Sequence, residues 1–238
     1  MKIKILGMCG SARKKGNSEY LLVEALAAAK AALPGTVETE LLSVAGKKIA
    51  PCLSCFKCAQ LKGECCQADG FQALREAWYG ADGVIYSVPV YHMSVPAQLR
   101  AFFDRLGNCI FCKYQDKVPK ALKAVGAIAQ GSHLFSGQEQ AMDHIIHHAL
   151  LTGNVPVAGD APDSYAGAGG WTRNNLDRDG LKKLYEKGDL DAEITLKAVR
   201  SLGRRVAQVA LLLKTGAAAN REMLAKDPMF DALLARLD

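Results

Sequence analysis

The chain is 238 residues long, half of them hydrophobic and 23% charged, which excludes wholesale disorder and suits one domain with appended helices. Its formal charge of +6 is spread along the chain without a dense basic run, so nucleic-acid binding gains no support. No segment approaches the roughly eighteen uninterrupted apolar residues of a membrane span, and Met1–Gly10, with lysines among apolar residues, lacks the apolar core of a signal peptide. A reducing cytoplasm is the expected setting, where eight cysteines favour metal or redox roles.

In chain order, Ile3 to Met8 is a short apolar run that reads as a buried parallel strand. Asn17 or Ser18 is placed to cap a helix reaching about Ala32, with Leu21, Leu22, Ala25 and Leu26 on one face, and Pro34-Gly35 ends it. Val37 to Leu42 is the expected second strand, followed by a cysteine-rich loop over residues 49–66. Asp69 opens a short helix carrying Phe71, Leu74 and Trp78. Gly83 to Val88 is a third strand, and Pro96 leads into a helix over Ala97 to Leu106. Ala121 to Ala129 is a fourth strand, Gly137 to Leu151 a helix, and Val155 to Val157 a short fifth strand. Residues 163–173 are rich in small side chains and read as loop. Two helices are expected beyond it, from Asp191 to Lys214 and from Arg221 to Leu237. Such alternation predicts an α/β, doubly wound, five-stranded parallel sheet with helices on both faces and a C-terminal helical extension. Ligands of such sheets bind beyond the carboxyl ends of the strands.

The run Cys52-Leu-Ser-Cys55-Phe-Lys-Cys58, with Cys65 and Cys66 close behind, makes a compact set of thiols. C-x2-C-x2-C spacing is that of iron–sulfur ligation. Structural zinc is a rival, although its sites usually use two C-x2-C pairs set well apart. Disulfides and a redox dithiol are further alternatives.

The segment Gly10-Ser-Ala-Arg-Lys-Lys-Gly-Asn-Ser18 joins the first strand to the first helix. Small residues, hydroxyls, Arg13 and a helix N-terminus are the parts of a phosphate cradle. Neither the Walker pattern nor G-x-G-x-x-G is present, which leaves a mononucleotide such as FMN on a flavodoxin-like sheet. The plainer reading is a polar turn with a helix cap.

The same loop resembles the phosphate loop of NADPH-dependent FMN reductases. Pro89 to Arg105 resembles their second flavin loop and its helix, and Gln130 to Glu139 their third loop. Pro51 to Cys58 points to one branch, the iron–sulfur flavoproteins; the likeness covers about residues 1–170. It implies that Ser11, Arg13, Asn17 and Ser18 hold the FMN phosphate. The isoalloxazine would lie along Pro89, Val90, Tyr91, His92 and Met93, with Gly131, Ser132 and Gly137 on its other side. It also implies a [4Fe–4S] cluster on Cys52, Cys55, Cys58 and a later cysteine, Cys65 being preferred to Cys66. Residues 1–180 then form the FMN-binding domain, and 181–238 close the core and offer a subunit contact in a homodimer or homotetramer. The implied function is electron transfer between cluster and FMN, with ferredoxin or NAD(P)H as donor and a small molecule as acceptor. An NAD(P)H-dependent FMN or quinone reductase, and a redox or metal sensor, are the alternatives.

Weaker signals remain. Cys109 and Cys112 read as buried small hydrophobes or a second dithiol. His144, His147 and His148 read as a helix-surface group, His92 as a titratable neighbour of the ring, and Tyr165 and Trp171 as covers for a flavin or packing anchors.

Overall fold

The computed structural model describes residues 1–115 and 117–237. Strands β1 (Ile3–Cys9), β2 (Val37–Ser43), β3 (Gly83–Pro89), β4 (Ala124–Gly131) and β5 (Val155–Pro156) are parallel in the order β2-β1-β3-β4-β5. This is the flavodoxin-like arrangement, whose binding crevice opens where the order reverses between β1 and β3. A sixth strand, β6 (Ala168–Trp171), pairs with Ile128–Gly131 at the carboxyl end of β4, whereas β5 pairs only with Ala124 and Val125. The fifth position of the sheet is therefore shared by two short strands, and part of the expected loop at 163–173 is sheet. Ala-Gly-Gly-Trp carries little strand signal of its own. Gly170 is required there because a Cβ would lie 2.7 Å from Thr195 Cγ2.

Alternate residues of each central strand feed opposite faces, as a buried parallel sheet demands. Ile3, Ile5 and Cys9 of β1, with Ile85 and Ile128, pack beneath α1 (Asn17–Ala32) and α7 (Leu190–Ala219). Leu6 and Met8, with Val84, Tyr86 and Val88, pack beneath α3 (Phe71–Gly80), α4 (Ala97–Lys113) and α5 (Gln138–Leu151). The cysteine loop carries one helical turn, α2 (Lys57–Gln60), and α6 (Gly180–Glu186) precedes α7. α4 runs seven residues past the expected end at Leu106, because Cys109 and Ile110 continue its buried stripe. The expected helix Arg221–Leu237 is broken into α8 (Arg221–Leu224), a 3-10 turn (Pro228–Phe230) and α9 (Asp231–Leu234). Pro228 has no N–H to continue a helix and holds Asp227 extended, whose carboxylate caps Met229 N–H at 3.0 Å. Among the described residues no helix is long and apolar enough to cross a membrane.

Candidate functional site

Three loops leave the carboxyl ends of β1, β3 and β4 and meet around a cavity of about 130 Å³. Ser11, Arg13, Asn17 and Ser18 line it from the first loop, Pro89, Val90 and Tyr91 from the second, and Ser132 from the third. No side chain caps the first turn of α1, whose N-cap is Gly16, so its amides remain available to an anion. Arg13 N–H donates to Ser11 Oγ at 3.1 Å, and its guanidinium donates to the Leu176 carbonyl at 3.3 Å. Asn17 ties the loop to the segment above it: Nδ2 donates one hydrogen to Asp177 O at 3.2 Å and Oδ1 accepts from Leu181 N–H at 3.0 Å. Ser18 is buried, and Ser87 Oγ donates to its carbonyl at 2.7 Å.

The segment Thr172–Arg178 closes the cavity from above with Thr172, Asn175, Leu176, Asp177 and Arg178, and Gln130 adds to the wall. Sequence reasoning missed these residues. Their signal was the Asn174-Asn175 pair, which favours a turn; Arg173 and Asn174 both have positive φ. His92 and Met93, at φ 49° and 59°, form the centre of a tight turn in which Tyr91 and Ser94 exchange backbone hydrogen bonds of 3.0 Å. His92 is exposed at its tip. Met93 packs against Gly137, whose φ is 99° and whose Cβ would fall 2.5 Å from Met93 Cα. Gly131 makes room in the same way for Ser136. Met93 and Gly137 line a larger neighbouring cleft of about 660 Å³ with Phe135, Tyr165 and Trp171. Trp171 is pinned by a 3.1 Å bond from its indole N–H to Asp191.

Cys52, Cys55, Cys58, Cys65 and Cys66 all line one cavity, joined by Cys109, Arg105 and Asn108. All eight cysteines are free thiols. The loop is tied down at both stems by Arg105, a buried residue of α4. Its guanidinium grips Asp69 at 2.7 and 2.8 Å, donates to Gln67 O at 2.8 Å and to Ala50 O at 3.3 Å, and reaches Cys65 Sγ at 3.3 Å. Burial opposes the charge on Asp69, but N–H donors from Ala50 and Phe71 and the Arg105 guanidinium hold its carboxyl below the ordinary range. Asn108 Nδ2 donates to Cys52 Sγ at 3.3 Å. The outer thiols Cys55 and Cys66 lie 3.7 Å apart, and the N–H of Lys57 lowers Cys55. Cys58 instead faces Cys112 at 3.2 Å; burial, then Cys112, pushes it up to about 11. Cys109 is buried, which pushes it up to about 12. Among the described residues no three His, Cys, Asp or Glu side chains converge to hold a single metal ion.

The histidine group is not wholly on the surface. His148 is buried and stacks on Phe103 with ring centroids 4.0 Å apart, while burial, and then Arg100, depress it to about 3. His148 faces Phe103 of α4, which the histidine spacing alone does not reveal.

Strand order and the three-loop cavity define a flavodoxin-like protein, and residues 3–162 match the family model described as NADPH-dependent FMN reductase. The protein is an FMN-dependent oxidoreductase. An iron–sulfur flavoprotein of Archaeoglobus fulgidus is 36% identical over 199 residues, covering 81% of this chain and 97% of the relative. Another, from Methanocaldococcus jannaschii, is 32% identical over 213 residues, covering 89% of this chain and all of the relative. The chain thus belongs to the NADPH-dependent FMN reductase family, in its iron–sulfur flavoprotein branch. Among solved structures, an NAD(P)H:quinone oxidoreductase from Methanothermobacter marburgensis superposes with TM-score 0.59 at 15% identity, covering 86% of this chain and 98% of that one, a likeness of fold.

Proposed function

We propose that the protein transfers electrons between a [4Fe–4S] cluster held by Cys52, Cys55, Cys58 and Cys65 and FMN held in the three-loop cavity. The observation that carries this reading is the sulfur-lined cavity, in which two N–H donors, Arg105 and Asn108, already address Cys65 and Cys52. Hydrogen bonds to ligand sulfurs orient them and tune the potential. The donor set fits a cluster: the thiolates of a cubane bond to different irons and stand apart, whereas a single zinc ion needs thiolates converging on one centre. The cavity, about 20 Å³, is open to solvent on the side of Cys55 and Cys66. Its outer wall is the exposed Leu53–Phe56 segment, with Ser54 and Phe56 at positive φ.

Bound FMN exchanges one or two electrons and a cluster exchanges one, so the pair links two-electron and one-electron partners. In this reading Ser11, Arg13 and the amides of α1 hold the FMN phosphate. Asn17 and Ser18 shape the loop beneath it. Pro89, Val90, Tyr91, His92 and Met93 flank the ring opposite Gly131, Ser132 and Gly137, and Thr172–Arg178 excludes water. Ferredoxin or NAD(P)H would donate, a small molecule would accept, and a homodimer or homotetramer would bring the two groups together. Anaerobic purification tests the assignment. The expected spectrum adds broad cluster absorption to flavin bands; Cys55→Ala loses the cluster and keeps FMN, while Arg13→Ala weakens FMN and keeps the cluster. A full iron and sulfide count in Cys55→Ala refutes the ligand set. A second reading, reduction of FMN or a quinone by NAD(P)H without a cluster, is favoured by the 660 Å³ cleft beside the flavin cavity, and a clean yellow spectrum with stoichiometric zinc would support it.

A further inference from the structure

Cys112 is used by neither site described above, yet its sulfur stands 3.2 Å from that of Cys58. The contact is built in. Cys58 opens toward α4 from α2 and donates to the Asn108 carbonyl at 3.7 Å, while Cys112 occupies the last turn of α4. Directly after α2, Gly63 at φ 91° accepts a turn that lets the loop lie flat on α4; a Cβ there would meet Lys113 Cβ at 2.8 Å. Gly63 N–H also donates to the Cys58 carbonyl at 2.8 Å. The two sulfurs are thus held in contact by the packing of one helical turn on another.

We propose that Cys58 and Cys112 form a reversible disulfide that withdraws Cys58 from the thiol set lining the cavity. The disulfide site stands on the thiol contact; its consequence for iron loading rests on the cluster reading above. The oxidant is a peroxide. One thiol takes an oxygen from it, becoming a sulfenic acid as the first water or alcohol leaves. The other thiol attacks that sulfur, the S–O bond breaks, the S–S bond forms and a second water departs. Two thiols lose two electrons and two protons, and the peroxide O–O bond is reduced. Bonding requires the sulfurs to close from 3.2 Å to about 2.0 Å, a movement within side-chain reach. With Cys58 so engaged, the central C-x2-C-x2-C run lacks its third thiolate, and the chain takes no cluster until a thiol reductant reopens the bond.

Trypsin separates the relevant cysteines: Cys58 falls in peptide 58–62, Cys52 and Cys55 in 49–57, Cys65 and Cys66 in 63–75, and Cys109 and Cys112 in 106–113. The full-length protein, purified anaerobically, is treated with hydrogen peroxide in air, alkylated and digested without reduction. The expected product joins 58–62 to 106–113, with fragment ions placing the link on Cys112 and the alkyl group on Cys109. In the oxidised wild type, iron and sulfide reload only after dithiothreitol; in Cys112→Ser the cross-linked peptide is lost and reloading needs no thiol. The proposal is overturned if Cys58 is recovered alkylated, or linked to 49–57, to 63–75 or to Cys109. Because the peptide map is read on the wild type, it does not depend on the variant folding. An anaerobic chain that never holds iron overturns the cluster reading alone, and the peptide map still decides the disulfide.

Discussion

Arg105→Met is the sharpest test of how the cysteine loop is held. The wild-type guanidinium is fully buried and its partner Asp69 nearly so. Methionine fills most of the volume but leaves Asp69 without its ion pair and the Ala50 carbonyl without a donor, while the Gln67 carbonyl keeps only the Gln72 side-chain amide. Breaking one side of a buried pair costs about 3–5 kcal/mol, a hundredfold or more in the folding constant. Urea unfolding followed by circular dichroism should show the loss as a lower midpoint at unchanged slope. The double variant Asp69→Leu/Arg105→Met, which removes both charges, should recover part of it. The pH dependence has a definite sign. Asp69 is depressed in the folded state, so its stabilisation is complete above the unfolded value near about 4 and is lost as pH falls through the folded value. The gap between wild type and Arg105→Met should therefore narrow below about pH 4. A cost under about 1 kcal/mol at pH 7 would show that the loop stems are anchored elsewhere, and the account of Arg105 would fail.

Other outcomes are expected. His148 is depressed to about 3, so its unfolded form binds more protons between about pH 6.5 and 3 and stability falls as pH drops through that window. His148→Phe, which keeps the stack on Phe103 and removes an unpartnered Nε2, should flatten that slope by up to about 1.4 kcal/mol per pH unit; an unchanged slope in acid titration of the unfolding free energy would refute the burial. Gly203→Ala should lower the melting temperature, because its Cβ would lie 2.1 Å from the Ala25 carbonyl where α7 crosses α1. Overpacking of about 1–3 kcal/mol, at about 2–4 °C per kcal/mol, is readable by calorimetry. Gly137→Ala should raise the dissociation constant for FMN, measured by flavin fluorescence, since its Cβ would displace Met93 in the turn of the second loop, against which the third loop packs; unaltered affinity would remove that turn from the flavin site.

Much of the scaffold is set by local pattern. Apolar period and terminators place β1, β3, α1 and α3 within a residue or two, because burial of one face selects strand or helix over a few residues. The thiol spacing and the polar loop Gly10–Ser18 are legible for the same reason: their residues are close in sequence. Other features needed the assembled sheet. β6 is a strand only because β4 leaves it an edge to pair with, its glycines carrying no side-chain pattern. The Thr172–Arg178 cover becomes a cavity wall once β6 delivers it to the crevice. Arg105 meets Cys65 across 40 residues, and Cys112 meets Cys58 across 54. His148 turns inward only because α4 lies beneath α5. Residue type and spacing determine which chemistry is on offer; the packing of helices on a common sheet decides which of those groups touch, since contact across tens of residues depends on faces that no local window contains.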